Sequence, residues 1–187
     1  MWHHRRSIRL PEYDYSKEGA YYITICAQDH KCLFGQIANG RMNLNTYGEI
    51  VKQELLETPE IRREMILDEW IIMPNHVHVI VIIDECDGNI VGAHGRAPLQ
   101  PKPRLYRKPK SISSFVAGFK SRVTKRINET RNTPGKQVWQ RNFYEHIIRN
   151  DKSYDKIKQY IIENPLYWTQ DEENPDKHKA IKNNLNQ

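Results

Sequence analysis

The run Trp70-Ile-Ile-Met-Pro-Asn-His-Val-His-Val-Ile-Val-Ile-Ile83 leaves a chain little choice of local structure. Its β-branched residues favour extended backbone, and Pro74-Asn75 divides the segment into two predicted strands, residues 65–73 and 76–83. Side chains alternate along a strand, so His76 and His78 project from one side and Val77, Val79 and Val81 from the other. Two imidazoles two residues apart on a rigid strand stand close enough to hold one divalent ion through a nitrogen each. On spacing alone, two rings each satisfied by neighbouring groups is the simpler account, and two ligands do not complete a site.

Upstream, Tyr21-Tyr-Ile-Thr-Ile-Cys26 reads as a strand, and residues 33–37 and 41–44 as a hairpin around Ala38-Asn39-Gly40. Asn45 or Thr46 caps a helix running to about Leu56, with Ile50, Val51, Glu54 and Leu55 on its inner side. Downstream, Ser111 or Ser113 opens a helix whose Ile112, Phe115, Val116, Phe119, Val123 and Ile127 form one stripe. Thr133-Pro134-Gly135 breaks the chain. A last helix over 151–163, with Tyr154, Ile157 and Ile161 inward, stops at Asn164-Pro165. The order β-β-β-α-β-β-α-α predicts an α+β fold, an antiparallel sheet with helices packed on it.

A chain of 187 residues with 38% hydrophobic content has enough apolar surface for one core, and residues 1–187 read as a single domain. Mean hydropathy is −0.80, and no apolar run approaches the length of a membrane span, so no membrane partner is expected. The basic start Met1-Trp-His-His-Arg-Arg lacks the apolar stretch of a signal peptide. Three cysteines without a CxxC pair argue for a reducing, cytoplasmic setting. Lys and Arg exceed Asp and Glu, giving a net charge of +6, which favours a polyanionic partner.

Residues 84–110 keep no helical or strand period and read as a basic Pro/Gly-rich linker within the domain. Lys102, Arg104, Arg107, Lys108 and Lys110 crowd its end and are candidate phosphate ligands; a solvated loop is the plainer reading. The decapeptide Val91-Gly-Ala-His-Gly-Arg-Ala-Pro-Leu-Gln100 can be encoded by GTA GGG GCG CAC GGC CGT GCG CCC CTA CAA. Through the first C of its last codon, that string equals its own reverse complement. Chance through free third codon positions is the plainer account; a palindrome that once landed in the reading frame is the other, and it leaves His94 with no role as a metal ligand.

In the last predicted helix, Tyr160 and Asn164 lie one turn apart. A phenol is a poor nucleophile when free, and an activated phosphate makes it competent. A carboxamide oxygen is a neutral hard ligand suited to Mg²⁺ or Mn²⁺. With ten tyrosines in the chain, spacing does not choose among them. Tyr160 as a core residue and Asn164 as a left-handed helix end are the competing readings. Between the two histidines and this helix lies Val138-Trp-Gln-Arg-Asn-Phe-Tyr-Glu-His-Ile-Ile-Arg-Asn150. Its interleaved Trp139, Arg141, Phe143, Tyr144 and Arg149 suit stacking on bases and neutralising phosphates of a folded-back single strand, while Trp139, Phe143 and Ile147 also suit the core.

Met73-Pro-Asn-His-Val-His78, Trp139-Gln-Arg-Asn-Phe-Tyr-Glu-His-Ile-Ile-Arg149 and Tyr160-Ile-Ile-Glu-Asn-Pro165, in this order, resemble the single-tyrosine HUH transposases. The similarity is greatest to the branch associated with repetitive extragenic palindromes (REP) and runs over residues 5–168. The resemblance implies a ferredoxin-like domain with the histidine pair on a central strand. By the same resemblance, His76 and His78 match the HUH histidines, Asn164 the third ligand of Mg²⁺ or Mn²⁺, and Tyr160 the nucleophile. His146 falls in the block that supports the active site. The implied activity is metal-dependent cleavage and transfer of single-stranded DNA at palindromic hairpins through a 5′-phosphotyrosine, by a monomer or homodimer at the nucleoid. A binder of palindromic DNA that does not cleave it, and a structural protein with core histidines, are the alternatives.

Overall fold

The first eight-residue run of β-formers extends as strand β1 (Gly19–Cys26). After a 3-10 turn, Gly35–Ala38 and Arg41–Leu44 pair as the hairpin β2–β3, turning through Asn39 and Gly40 at φ +52° and +69°. The left-handed region at Gly40 suits a residue without Cβ, and an added Cβ would lie 2.7 Å from the Leu166 side chain. Helix α1 (Thr46–Leu56) starts where Asn45 Oδ1 accepts the backbone N–H groups of Tyr47 and Gly48. A single turn, α2 (Thr58–Ile61), leads into β4 (Met65–Ile72) and β5 (His76–Ile83). Helix α3 (Ile112–Thr130) is capped by the Ser111 side chain, β6 (Tyr144–Ile148) follows, and α4 (Asp151–Glu163) is capped by Asn150. This computed structural model describes residues 14–84 and 111–177. Lys102, Arg104, Arg107, Lys108 and Lys110, and the encoded palindrome with His94, lie outside the described residues.

Strands β4, β5, β1 and β6 stand in that order in one antiparallel sheet. In chain order they run β1-α1-β4-β5-α3-β6, the β-α-β-β-α-β arrangement of ferredoxin-like folds. Two elements depart from the predicted order. The turn α2 is too short for a periodic signal, and β6 has only five mixed residues whose strand character comes from pairing with β1, Ala20 against Ile148.

The sheet is covered on both faces. On one, Tyr21, Ile23, Ile25, Val77, Val79 and Val81 pack with the apolar stripe of α3 and with Ile50, Val51 and Leu55 of α1. Glu54, buried in α1, is neutralised by Arg122 and Arg126 of α3, so the helix pair carries no isolated charge inward. On the other face, Tyr22, Ile80 and Ile148 meet Ile161 of α4, flanked by Tyr154 and Ile157. That second face also carries His76 and His78. Among the described residues, no helix is long and apolar enough to cross a membrane.

Candidate active site

Because β5 lies between β1 and β4, both histidines are buried, His76 at 0% and His78 at 3% exposure. Each ring is held from behind. Asn75 Oδ1 accepts from His76 Nδ1 at 2.8 Å, and the Tyr22 and Thr24 hydroxyls lie 2.7 and 2.9 Å from His78 Nδ1. The two front nitrogens converge, His76 Nε2 standing 2.9 Å from His78 Nε2. Burial drives both rings toward the neutral form: it pushes His76 down to about 4 against the pull of Asp171, and with the nearby His76 it holds His78 well below its usual value.

Neutral rings have one N–H each, which fixes the proton inventory. With His76 donating from Nδ1, its Nε2 is a lone pair, and His78 Nε2–H is the donor that meets it. A hydroxyl both donates and accepts, so Tyr22 and Thr24 can receive the His78 proton at Nδ1 as readily as they donate to that nitrogen. Moving that one proton turns both Nε2 atoms into acceptors facing a common point, where a divalent cation satisfies both. A back-side partner that orients the ring is the arrangement expected of metal-binding histidines.

The segment after α4 supplies further oxygen. It continues as a 3-10 helix, Asn164–Gln170, with Asn164 at φ −52° and ψ −39°, so Asn164 is right-handed and not the left-handed helix end considered from sequence. Asn164 is buried, and its Nδ2 donates to Asp171 Oδ2 at 3.1 Å. Its Oδ1 is buried without a hydrogen-bond partner, an arrangement that costs free energy unless a cation or donor meets it. The ligand atoms of His76, His78 and Asp171 all lie within 4.8 Å of one another. Two imidazole nitrogens, a carboxylate and an amide oxygen form a donor set that fits Mg²⁺ or Mn²⁺.

Tyr160 projects from α4 over this group. Its ring centroid is 5.4 Å from that of His78 and 6.4 Å from that of Tyr22, yet the residue is 48% exposed. Burial of part of the ring, and then the Asp171 carboxylate, push the phenol up to about 12, with Asn164 acting the other way. Tyr160, Glu163, Asn164, Tyr167, Gln170, Asp171 and Glu172 line a cleft of about 260 Å³. Tyr154, by contrast, gives its hydroxyl to Asp68, which also receives the Lys158 ammonium at 3.2 Å.

The remaining sequence candidates sit at the rim. His146 is exposed on β6, opposite Tyr22 and two strands from His78, a lateral distance of about 10 Å at ordinary strand spacing. Arg141 and Arg149 are exposed just before and just after β6. Trp139 is inside, and Phe143 and Ile147 are partly buried against the same core. Sequence reasoning missed Asp171, whose place depends on the turn after α4, and the back-side partners Tyr22, Thr24 and Asn75. Only Asn75, adjacent to the histidine pair, had a sequence signal.

No family model matches the chain. A Haemophilus influenzae protein described as uncharacterised is 45% identical over 174 residues, spanning 91% of this chain and 93% of that protein. A second protein of that bacterium, provisionally named a REP-associated tyrosine transposase, is 28% identical over 155 residues, spanning 82% of this chain and 73% of that protein. Among solved structures, a REP-associated tyrosine transposase bound to a REP hairpin superposes with a TM-score of 0.57 at 21% identity, covering 85% of this chain and 73% of that one. That last likeness is one of fold. Relatives and fold point the same way: the chain is similar to REP-associated tyrosine transposases in sequence and shares the fold of one of them.

Proposed function

We propose that the protein cleaves and rejoins single-stranded DNA at hairpin-forming palindromes, with Tyr160 as the nucleophile. The observation that carries this reading is the grouping of the His76, His78 and Asp171 ligand atoms within 4.8 Å of one another, with Asn164 hydrogen-bonded to Asp171, beneath a half-exposed tyrosine. His76, His78 and Asn164, with Asp171 beside them, would hold Mg²⁺ or Mn²⁺. When bound, the ion supplies Lewis-acid polarisation of a non-bridging oxygen of the scissile phosphate.

The chain's own residues do the rest. Tyr160 Oη attacks phosphorus in line; an Oη–P bond forms as the bond to the 3′-oxygen breaks. The departing 3′-oxygen gains a proton while the phenol loses one, which leaves a free 3′-hydroxyl and a 5′-phosphotyrosine. Attack by another 3′-hydroxyl reverses these bonds and joins strands, so no nucleotide is consumed. A phenol held near 12 reacts poorly by itself, and the Tyr160 site depends on a cation to offset Asp171. The β6 edge, with exposed Tyr144 and His146 between Arg141 and Arg149, suits bases and phosphates of the folded-back strand.

The test is incubation with a labelled single-stranded palindrome and Mn²⁺, resolving covalent protein–DNA adduct from free DNA. Wild type is expected to form the adduct, and Tyr160→Phe to lose it while still binding the hairpin. An adduct in the Phe variant would overturn the assignment and point to Tyr144, because Tyr154 is engaged by Asp68. Hairpin binding without an adduct in wild type would make the protein a binder that does not cleave.

A further inference from the structure

Next to the histidine pair, a second cluster has a different chemical character. Cys26 ends β1 directly opposite His76, on the same face of the sheet. His30 follows in the 3-10 turn Gln28–His30, and Glu173 lies two residues beyond Asp171. One ligand atom from each of Cys26, His30 and Glu173 lies within 4.8 Å of the other two, and all three residues are half-buried. The short 171–173 segment therefore sends one carboxylate to each of two neighbouring clusters. We propose that Cys26, His30 and Glu173 form a binding site for a borderline divalent cation of the Zn²⁺ class, separate from the His76–His78 pair.

The donor set is the first argument. Thiolate, imidazole and carboxylate leaving a fourth position for water are the ligands Zn²⁺ takes, whereas Mg²⁺ and Mn²⁺ prefer oxygen. Lys120, anchored by the carbonyls of Gln140 and Asn142, stands close enough to Cys26 for the two to interact electrostatically.

Geometry is the second. His30 Nδ1 stands 2.8 Å from Glu173 Oε2, bridged by one proton. Two ligands about 2.0 Å from a tetrahedral ion lie about 3.3 Å apart, so replacing that proton by a cation moves the pair by about half an ångström. On the other side of the ring, His30 Nε2 meets the Gln140 carboxamide at 2.7 Å. A half-turn of that carboxamide puts its oxygen on Nε2, which then carries the ring proton, the back-side partner that ligating histidines use. The Cys26 thiol proton leaves to solvent on binding.

Preorganisation is the third argument. Asp29 and His30 are consecutive non-glycine residues at φ +56° and +51°, a sparsely populated conformation that aims the imidazole at Glu173. Asn75 Nδ2 donates to both the His30 carbonyl, at 3.0 Å, and the Glu173 carbonyl, at 2.6 Å, pinning the two ligand-bearing segments to each other. The same Asn75 holds His76 through Oδ1. A cation here would clip the segment after α4 to the end of β1, beside the histidine pair.

Co²⁺ titration of the full chain in excess Mg²⁺ tests the site independently of the phosphotyrosine chemistry. The expected result is a near-ultraviolet thiolate-to-Co²⁺ charge-transfer band that saturates at one equivalent, is displaced by Zn²⁺ and persists in the His76→Ala/His78→Ala double variant. Cys26→Ser should remove the band, and His30→Ala and Glu173→Gln should each weaken Co²⁺ binding more than about tenfold. No band in folded wild type at stoichiometric Co²⁺ would overturn the proposal without any variant. A band that survives Cys26→Ser overturns it in favour of Cys32 or Cys86. A band lost in the double histidine variant, with circular dichroism unchanged, assigns the ion to the histidine pair and overturns it too.

Discussion

At the scale of single residues, the histidine pair is defined less by its rings than by what stands behind them. Truncating either ring leaves one imidazole facing the carboxylate and amide, so His76→Ala and His78→Ala are each expected to abolish metal-dependent cleavage. Calorimetric titration of Mn²⁺ into each variant checks this, and unchanged affinity in both would falsify the ligand assignment. Burial has a second consequence, in the metal-free protein. His76 takes up its proton at about 4 when folded and at about 6.5 when unfolded. Between those values the unfolded chain binds more protons, so stability is complete above about 6.5 and falls by about 1.4 kcal/mol per pH unit as pH drops toward 4. His78, shifted the same way, adds a loss of the same sign. Urea midpoints measured from neutral pH down to about 5 should decline over this window, and a flat profile would show that neither ring is kept neutral by the fold.

At the scale of elements, the site is a strand, a helix and an edge. Strand β5 fixes the histidines, α4 brings Tyr160, and β6 presents its outer row to solvent beside Tyr22. Arg149 sits at the end of that edge and is exposed. Replacing it with Ala should lower single-stranded hairpin affinity at low salt and reduce the log–log salt slope by about 0.7, the effect of removing one neutralised phosphate. Fluorescence anisotropy across a salt series measures it, and a wild-type slope would assign Arg149 to the solvated rim. Elements with strong local signals were legible in the sequence: the α3 stripe from Ile112 to Ile127, the Asn45 cap, the Pro74-Asn75 break and the end of α4 at Glu163 all match local chemistry. Strand β6 was not legible, because Tyr-Glu-His-Ile-Ile becomes a strand only by pairing with β1. Asp171 was hidden for a similar reason. It lies seven residues beyond Asn164, and only the 3-10 path between them folds its carboxylate back to the Asn164 amide.

At the scale of the whole molecule, the basic excess and the site are carried by different parts of the chain. Neutralising Lys102, Arg104, Arg107, Lys108 and Lys110 together should weaken DNA binding and flatten its salt dependence by about 0.7 of slope for each phosphate no longer neutralised, with Tyr160 chemistry retained at low salt. Salt-dependent binding of this five-fold variant checks it; an unchanged slope makes the segment a spacer. The order of strands in the sheet has one more consequence, which concerns the ribosome. The neighbours β5 and β1 are synthesised early and bring the histidines against Tyr22 and Thr24, while Tyr160, Asn164 and Asp171 are encoded near the end of the chain, on α4 and the segment after it. A nascent chain emerging toward its end therefore carries the histidine pair without the oxygen donors or Tyr160, and the candidate site is assembled only when α4 and the segment after it dock.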